Sequence, residues 1–131
     1  MATTLGSKGA ELNLLIRQGA TFGPNVCTLT NPDTSPVNLT GCTFRAQIRK
    51  TASDPLSSGA AATFTITNAA LGEFYWEFTD EVTTVLVADS VSETAPASIY
   101  TWDMELEDAS GRVIPLLYGT VNVFREVTKT P

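Results

Sequence analysis

The stretch YTWDMELED at residues 100–108 holds the densest group of reactive side chains in the sequence, with four carboxylates in nine residues. Carboxylates this close together can bind a metal ion or act as a catalytic pair of acid and base. Asp103, Glu105 and Glu107 occupy every second position, however, and apolar residues lie between them. A period of two is typical of an antiparallel strand with one face in solvent. We therefore predict a strand with its acids pointing outward.

A straight row of acids has a poor shape for binding a metal. Side chains at i, i+2 and i+4 of a strand stand about 7 Å apart, whereas calcium takes about six to eight oxygens from a curved loop. Residues 42–50, CTFRAQIRK, alternate in the same way and place Arg45 and Arg49 on their polar face. We expect the acidic row to pair with these arginines across strands, as exposed ion pairs that fix register and add little stability.

The residue types in the chain give little support to other catalytic activities or to other metal and phosphate sites. The chain has no histidine, which removes the commonest general base and the commonest zinc ligand. No serine or threonine lies in a nucleophile elbow, and no glycine-rich phosphate loop is present. We predict no catalytic residues, no metal and no cofactor. A hydrolase that works with carboxylates alone is the weakest of the alternatives.

Length and charge narrow the class of protein further. The 131 residues suit one domain, and a hydrophobic content of 43% can fill its core. The net charge of −6 opposes binding to nucleic acid or to an anionic membrane surface. No apolar run approaches the roughly 20 residues of a membrane helix, and the first ten residues lack a leader pattern. We expect synthesis and folding in a cytosol.

The elements that must position these side chains have a period of two from Glu11 onward. About seven strands separated by turn residues predict an all-β, Ig-like antiparallel β-sandwich with one short helical turn. Residues 1–10 are predicted to be a flexible arm, and residues 11–131 the sandwich. Turns or bulges are expected at Gly23-Pro24, Asp108–Gly111, Pro115 and Gly119. The inward residues include Leu12, Leu14, Ile16, Phe64 and Ile66, with Val82, Val85 and Leu86 in the helical turn.

Two other residue types have a structural interpretation. Trp76 and Trp102 fall on inward faces and are expected in the core. Cys27 and Cys42 are expected to be small, free core residues. A disulfide between neighbouring strands is the alternative for the two cysteines, and their spacing leaves it open.

Three segments carry a resemblance to a known group of proteins. They are LLIRQGATF, PVNLTGCTFRAQIRK and IYTWDMELEDASGRVIPLLYGTVNVFREVT. In order and spacing they are similar to small tailed-bacteriophage and prophage virion proteins, and they resemble the N-terminal domain of upper baseplate proteins and of fibre-attachment proteins. The resemblance covers most of residues 12–128. Its hallmarks are turn and core residues, so it implies a fold and carries over no functional residue.

The resemblance implies a non-enzymatic virion structural protein, a tail, baseplate or fibre adaptor that assembles through protein–protein contacts. Upper baseplate proteins continue into further modules, which favours a stand-alone adaptor for a chain of this length. The implied partners are other phage virion proteins and symmetric copies of this chain, without nucleic acid or membrane. The implied location is the virion, after synthesis in the host bacterial cytoplasm. The expected partner-binding residues are Thr3, Thr4, Leu5, Lys8, Leu12 and Leu14.

Two alternatives use the same fold. One is a capsid decoration or head–tail joining protein. The other is a glycan-binding module on the virion, which needs exposed aromatic rings in a cleft. Tyr75 is the only ring that the alternation places clearly on an outward row, so the sequence gives this alternative little support.

Overall fold

The computed structural model describes residues 9–50, 60–86 and 96–125. These ranges hold strands of alternating burial and one short helix, because alternation of apolar and polar residues can bury only one face of each strand. The elements are β1 (Ala10–Glu11), β2 (Leu14–Arg17), β3 (Phe22–Thr28), β4 (Thr43–Arg49), β5 (Ala60–Ala61), β6 (Thr63–Asn68), β7 (Glu73–Phe78), α1 (Asp80–Thr84), β8 (Pro96–Glu107) and β9 (Val113–Phe124).

The strands form two sheets. The first has the order β1-β9-β8-β4-β5, with β2 also pairing with β9, and the second has the order β3-β7-β6. Six of the described strands therefore belong to the first sheet and three to the second. The predicted all-β sandwich is confirmed, although β1 and β2 pair with β9 in parallel rather than antiparallel.

The described ranges contain nine strands rather than about seven, for two local reasons. The predicted first strand is interrupted at Leu12 and Asn13, and its first part already includes Ala10, which lies inside the predicted arm. The segment around Ala60 is shared between the sheets, since β5 pairs with β4 whereas β6 pairs with β7. The Ala62 backbone N–H donates to the Ala46 carbonyl (2.9 Å) at the crossing point.

The hairpin between β8 and β9 turns where the sequence predicts. Backbone hydrogen bonds of 2.9 Å join Asp108 N–H to the Arg112 carbonyl and Gly111 N–H to the Asp108 carbonyl. Gly111 has a φ of 88°, a conformation that favours glycine. The register slips opposite Pro115, which confirms the bulge expected there, because proline cannot donate to the ladder. Gly119 stays inside β9 instead of breaking it.

Asp108 gives this hairpin a dependence on pH. Its Oδ1 accepts hydrogen bonds from the Arg112 N–H (2.9 Å), the Ser110 hydroxyl (2.8 Å) and the Ser110 N–H (3.0 Å). These bonds, led by the one from Arg112, lower the pKa of the Asp108 carboxyl from its ordinary value. A carboxyl whose pKa is lowered by folding adds stability above its unfolded pKa, and this contribution is lost as the pH falls through the folded pKa.

We therefore expect the wild-type protein to be more stable than Asp108→Asn at neutral pH, and the difference to close in strongly acidic solution. Asparagine keeps the Oδ1 acceptor but removes the charge and the contact between Oδ2 and the Arg112 guanidinium (3.5 Å), so the pH dependence of the difference reports the titration of Asp108. Thermal unfolding of both proteins over a pH series measures the effect. A stability difference that does not change with pH would contradict this account of the hairpin.

The core lies between the two sheets and is dominated by aromatic rings. Trp76 of the second sheet and Trp102 of the first stack with their centroids 5.5 Å apart, and both are buried. Phe44 stacks on Phe74 in the same way at 4.3 Å. Such offset stacks add to the stability gained from area burial alone. The expectation that both tryptophans belong to the core is confirmed.

Three residues predicted to face inward are exposed. Leu12 is 40% exposed because the strand is interrupted there, and its backbone bonds with Tyr118 and Trp102 instead. Ile66 is 38% exposed because β6 is the last strand of its sheet. Val85 is 65% exposed because α1 ends at Thr84, before the next turn could bring Val85 onto the buried face.

The short helix follows β7 directly and is held by hydrogen bonds to an earlier turn. Thr79 occupies its N-cap position without a side-chain hydrogen bond to the helix. Thr83 is fully buried and donates its hydroxyl to the Ala20 carbonyl at 2.8 Å. The Gln18 side chain donates to the Leu86 carbonyl at 2.9 Å. These bonds tie the helix to the turn between β2 and β3.

Candidate interaction surfaces

The acidic row lies on the outer face of the first sheet, as predicted. Arg45 of β4 lies directly opposite Glu105 of β8 in the register. The Arg45 guanidinium contacts Glu105 Oε1 at 2.9 Å and Glu107 Oε1 at 3.2 Å. Arg45 thus bridges two members of the row, which confirms the expected pairing for this arginine. The Arg49 guanidinium donates to the Gln47 side chain at 2.7 Å.

Removing this bridge is expected to change stability little. The side chains of Arg45 and Glu105 are 41% and 34% exposed, and water screens ion pairs at such positions. We expect Arg45→Ala to shift the thermal midpoint by no more than about 2 °C. Differential scanning calorimetry of this variant beside Glu105→Ala and the double variant measures the effect. A loss of cooperative unfolding in Arg45→Ala would show that the bridge holds the fold.

A groove of about 410 Å³ lies on the same outer face, across β4, β8 and β9. Its lining surface is polar and apolar in nearly equal shares and contains both signs of charge. The lining residues are Arg45, Gln47, Arg49, Thr101, Trp102, Asp103, Glu105 and Tyr118.

Asp103 occupies the middle of this groove, opposite Gln47 on one side and Tyr118 on the other. Asp103 is an exposed residue, yet the groove walls partly desolvate its carboxyl group. This desolvation, together with the negative charge of Glu105, raises the pKa of Asp103, and the positive charge of Arg49 acts against the rise. The groove therefore offers hydrogen-bond donors and acceptors of both charges to a polar partner.

Tyr118 is the feature of this groove that sequence reasoning missed. The alternation in β9 contained the necessary signal, because Leu117 and Val121 are buried and Tyr118 falls on the opposite side.

Within residues 9–50, 60–86 and 96–125, no group of three or more acidic, cysteine or histidine side chains is placed to hold a metal ion.

Next to the groove, the same face carries an exposed apolar patch, here called the Leu15–Ile99 patch. Leu15 of β2 is 63% exposed and Ile99 of β8 is 64% exposed. In the register of the sheet both residues pair with Asn122 of β9, Leu15 from the strand on one side and Ile99 from the strand on the other. Ile99 is two residues from Thr101 of the groove, so the patch and the groove form one continuous surface. The alternation in β2 predicts that Leu15 points outward. In β8, Ile99 comes directly before Tyr100, which points inward, so the alternation predicts that Ile99 points outward as well.

The residues expected to bind partners have different positions. Thr3, Thr4, Leu5 and Lys8 lie outside the described residues. Leu12 is partly exposed, although its backbone N–H is bound to the Tyr118 carbonyl at 2.8 Å.

Leu14 requires a correction as a partner-binding residue. It is only 4% exposed, belongs to the hydrophobic core and pairs with Val121 of β9. Its side chain is thus committed to the interior of the domain, because inward and outward positions alternate along β2.

Both cysteines are free thiols and partly buried. Cys27 lies in β3 opposite Phe74 of β7. Burial raises the pKa of both the Cys27 and the Cys42 thiol. A raised pKa keeps a thiol protonated at neutral pH and less reactive, as is expected for structural residues.

No known protein-family model matches the chain, and no curated protein has a detectably similar sequence. In the described part of the chain, no helix combines the length and the apolar composition that crossing a bilayer requires.

Proposed function

We propose that this chain is a non-enzymatic structural protein of a bacteriophage virion, an adaptor of the tail, baseplate or fibre that assembles through protein–protein contacts. The proposal is supported by the resemblance of its three quoted segments to virion proteins and by its β-sandwich fold. Its partners would be other virion proteins and symmetric copies of itself, and its location the tail or baseplate.

The Leu15–Ile99 patch is the observation that carries this proposal. Exposed apolar residues scattered singly over a surface are ordinary, but these two lie in register on the two strands that flank β9 and adjoin a polar groove. Protein interfaces combine an apolar centre with a rim of hydrogen-bonding groups. The outer face of the first sheet has both parts side by side, which suits a surface that another subunit covers.

Cryo-EM of the virion tests the proposal and its nearest alternative. Density for this fold at the tail, with a neighbouring subunit over the Leu15–Ile99 patch, is the expected result. Density on the capsid hexamers or at the head–tail junction would favour the alternative of a decoration or joining protein. Such a protein would use the same surfaces.

A glycan-binding module on the virion is a second candidate, because Tyr118 gives the groove an aromatic ring beside Asp103 and Gln47. An aromatic ring flanked by hydrogen-bonding side chains is a suitable platform for a sugar. A glycan array with the wild-type protein and Tyr118→Ala tests this. Reproducible binding that Tyr118→Ala abolishes would favour the module over the adaptor.

A further inference from the structure

The edge of β6 that faces away from β7 differs from the other strand edges in the described part of the chain. The edge formed by β1 and β2 is interrupted, β5 has only two residues, and β3 contains Pro24 within a register shift. Short strands, bulges and prolines are the devices that protect sheet edges from pairing with another chain. The six residues of β6, TFTITN, contain no proline and no charge, and only a bulge near Thr67 interrupts their register.

The core beneath this edge is incompletely covered. Phe64 and Ile66 lie opposite Trp76 and Phe74 of β7, the inward residues of that strand. Nevertheless Ile66 is 38% exposed and Phe64 is only partly buried. A strand added to β6 would cover these two side chains and would pair the outer backbone groups of β6. Added strands of this kind gain affinity from main-chain hydrogen bonds and specificity from alternate side chains.

The charges around this edge have one sign. Glu73 and Glu77 of β7 lie opposite Asn68 and Thr63, at the two ends of β6. No lysine or arginine occurs anywhere between Lys50 and Arg112 in the sequence, nor in β3. An added segment that carries positive charge and no acid would therefore be attracted to this sheet.

Residues 2–8, ATTLGSK, have the chemistry that this edge requires. They contain Lys8 and no acid, the β-forming residues Thr3 and Thr4, and one bulky aliphatic residue, Leu5. Seven extended residues span about 23 Å, which is enough to follow the whole of β6. The segment joins the domain at β1, on the flank where β2 leads into β3, whereas β6 follows β5 on the opposite flank. Four inter-strand spacings of about 4.8 Å separate β1 from β5, so crossing to β6 within one chain would use up most of the length of the segment.

We propose that the outer edge of β6, with which no other described strand pairs, accepts residues 2–8 of a second copy of this chain as an added strand, with Leu5 packing beside Ile66. This inference rests on the proposed function in one respect, namely that copies of the chain lie next to one another in an assembly. It names the edge and the segment through which they are joined.

Sedimentation equilibrium of the purified full chain tests the proposal without any virion. We expect the wild type to self-associate over a concentration series up to about 1 mM. Deletion of residues 2–8, Leu5→Asp and Ile66→Lys should each raise the dissociation constant by at least about tenfold, because a charge at the edge or in the added strand opposes pairing. Val26→Lys is the matched control, since it adds the same charge at an 81% exposed position on the opposite edge strand. It should leave the constant unchanged.

Any of three results would overturn the inference: a monomeric wild type throughout the series, an association that survives the deletion, or equal effects of Ile66→Lys and Val26→Lys. Thermal unfolding of each variant verifies that its fold is intact. The proposed function fails on a different observation, the absence of the chain from virions, so the two failures are distinguishable.

Discussion

Replacing Trp102 by alanine should lower the free energy of unfolding by about 3–5 kcal/mol, the range typical of a deleted core aromatic residue. Trp102 is 2% exposed and stacks on Trp76 of the opposite sheet. Its Nε1–H also donates to the Leu12 carbonyl at 2.7 Å, at the point where the N-terminal strand is interrupted. One side chain thereby joins both sheets and the segment between β1 and β2.

Urea denaturation of Trp102→Ala, Trp102→Phe and Tyr75→Ala measures this effect. Phenylalanine keeps an aromatic ring in the core and loses the bond to Leu12, so its loss of stability should be smaller than that of alanine. Tyr75 is on the outward side of β7 and serves as the control for removal of an aromatic side chain. A Trp102→Ala protein within about 1 kcal/mol of the wild type would contradict the central place of this residue in the fold.

The proposed function predicts the second large effect, which is on assembly into the virion. Introducing Glu at both Leu15 and Ile99 should reduce the number of copies per particle by at least about tenfold, because two charges would have to be buried at the centre of the contact. The fold should tolerate both changes, since each side chain is more than half exposed. Virions assembled with the variant and quantified by peptide mass spectrometry give the measurement.

A matched control exists for this double variant. Val26→Glu with Val85→Glu places the same two charges at positions that are 81% and 65% exposed but lie away from the outer face of the first sheet. We expect normal incorporation of this control. Normal incorporation of both double variants would show that the Leu15–Ile99 patch is not the contact surface. An equal reduction in the incorporation of both would indicate a general effect of charge.

The alternation of residue types predicts much of the fold, because each strand reports locally which of its faces is buried. The row from Asp103 to Glu107 and its pairing with Arg45 follow from that alternation and from opposite charge on neighbouring strands. The turn at Asp108–Gly111 is equally local. What alternation cannot report is where the chain leaves a ladder. Leu12 is therefore exposed, contrary to the prediction. Its backbone forms hydrogen bonds with Trp102 and Tyr118, which are distant from it in the sequence.

The candidate surfaces are harder to predict because they depend on order within a sheet. Leu15 and Ile99 are 84 positions apart in the sequence numbering and become neighbours only through their shared partner Asn122 in β9. Tyr118 joins Asp103 and Gln47 for the same reason. Ile66 follows the expected parity, yet it is exposed because β6 ends its sheet, a property that no local pattern contains.

The most direct test of the proposed function is the protein content of purified phage particles. Virions banded in a density gradient would be digested and this chain quantified against a major capsid protein. We predict that the chain bands with the particles in a fixed number of copies and resists removal by salt washing. Recovery of the chain only in the soluble fraction of the lysate, with none in intact particles, would contradict it.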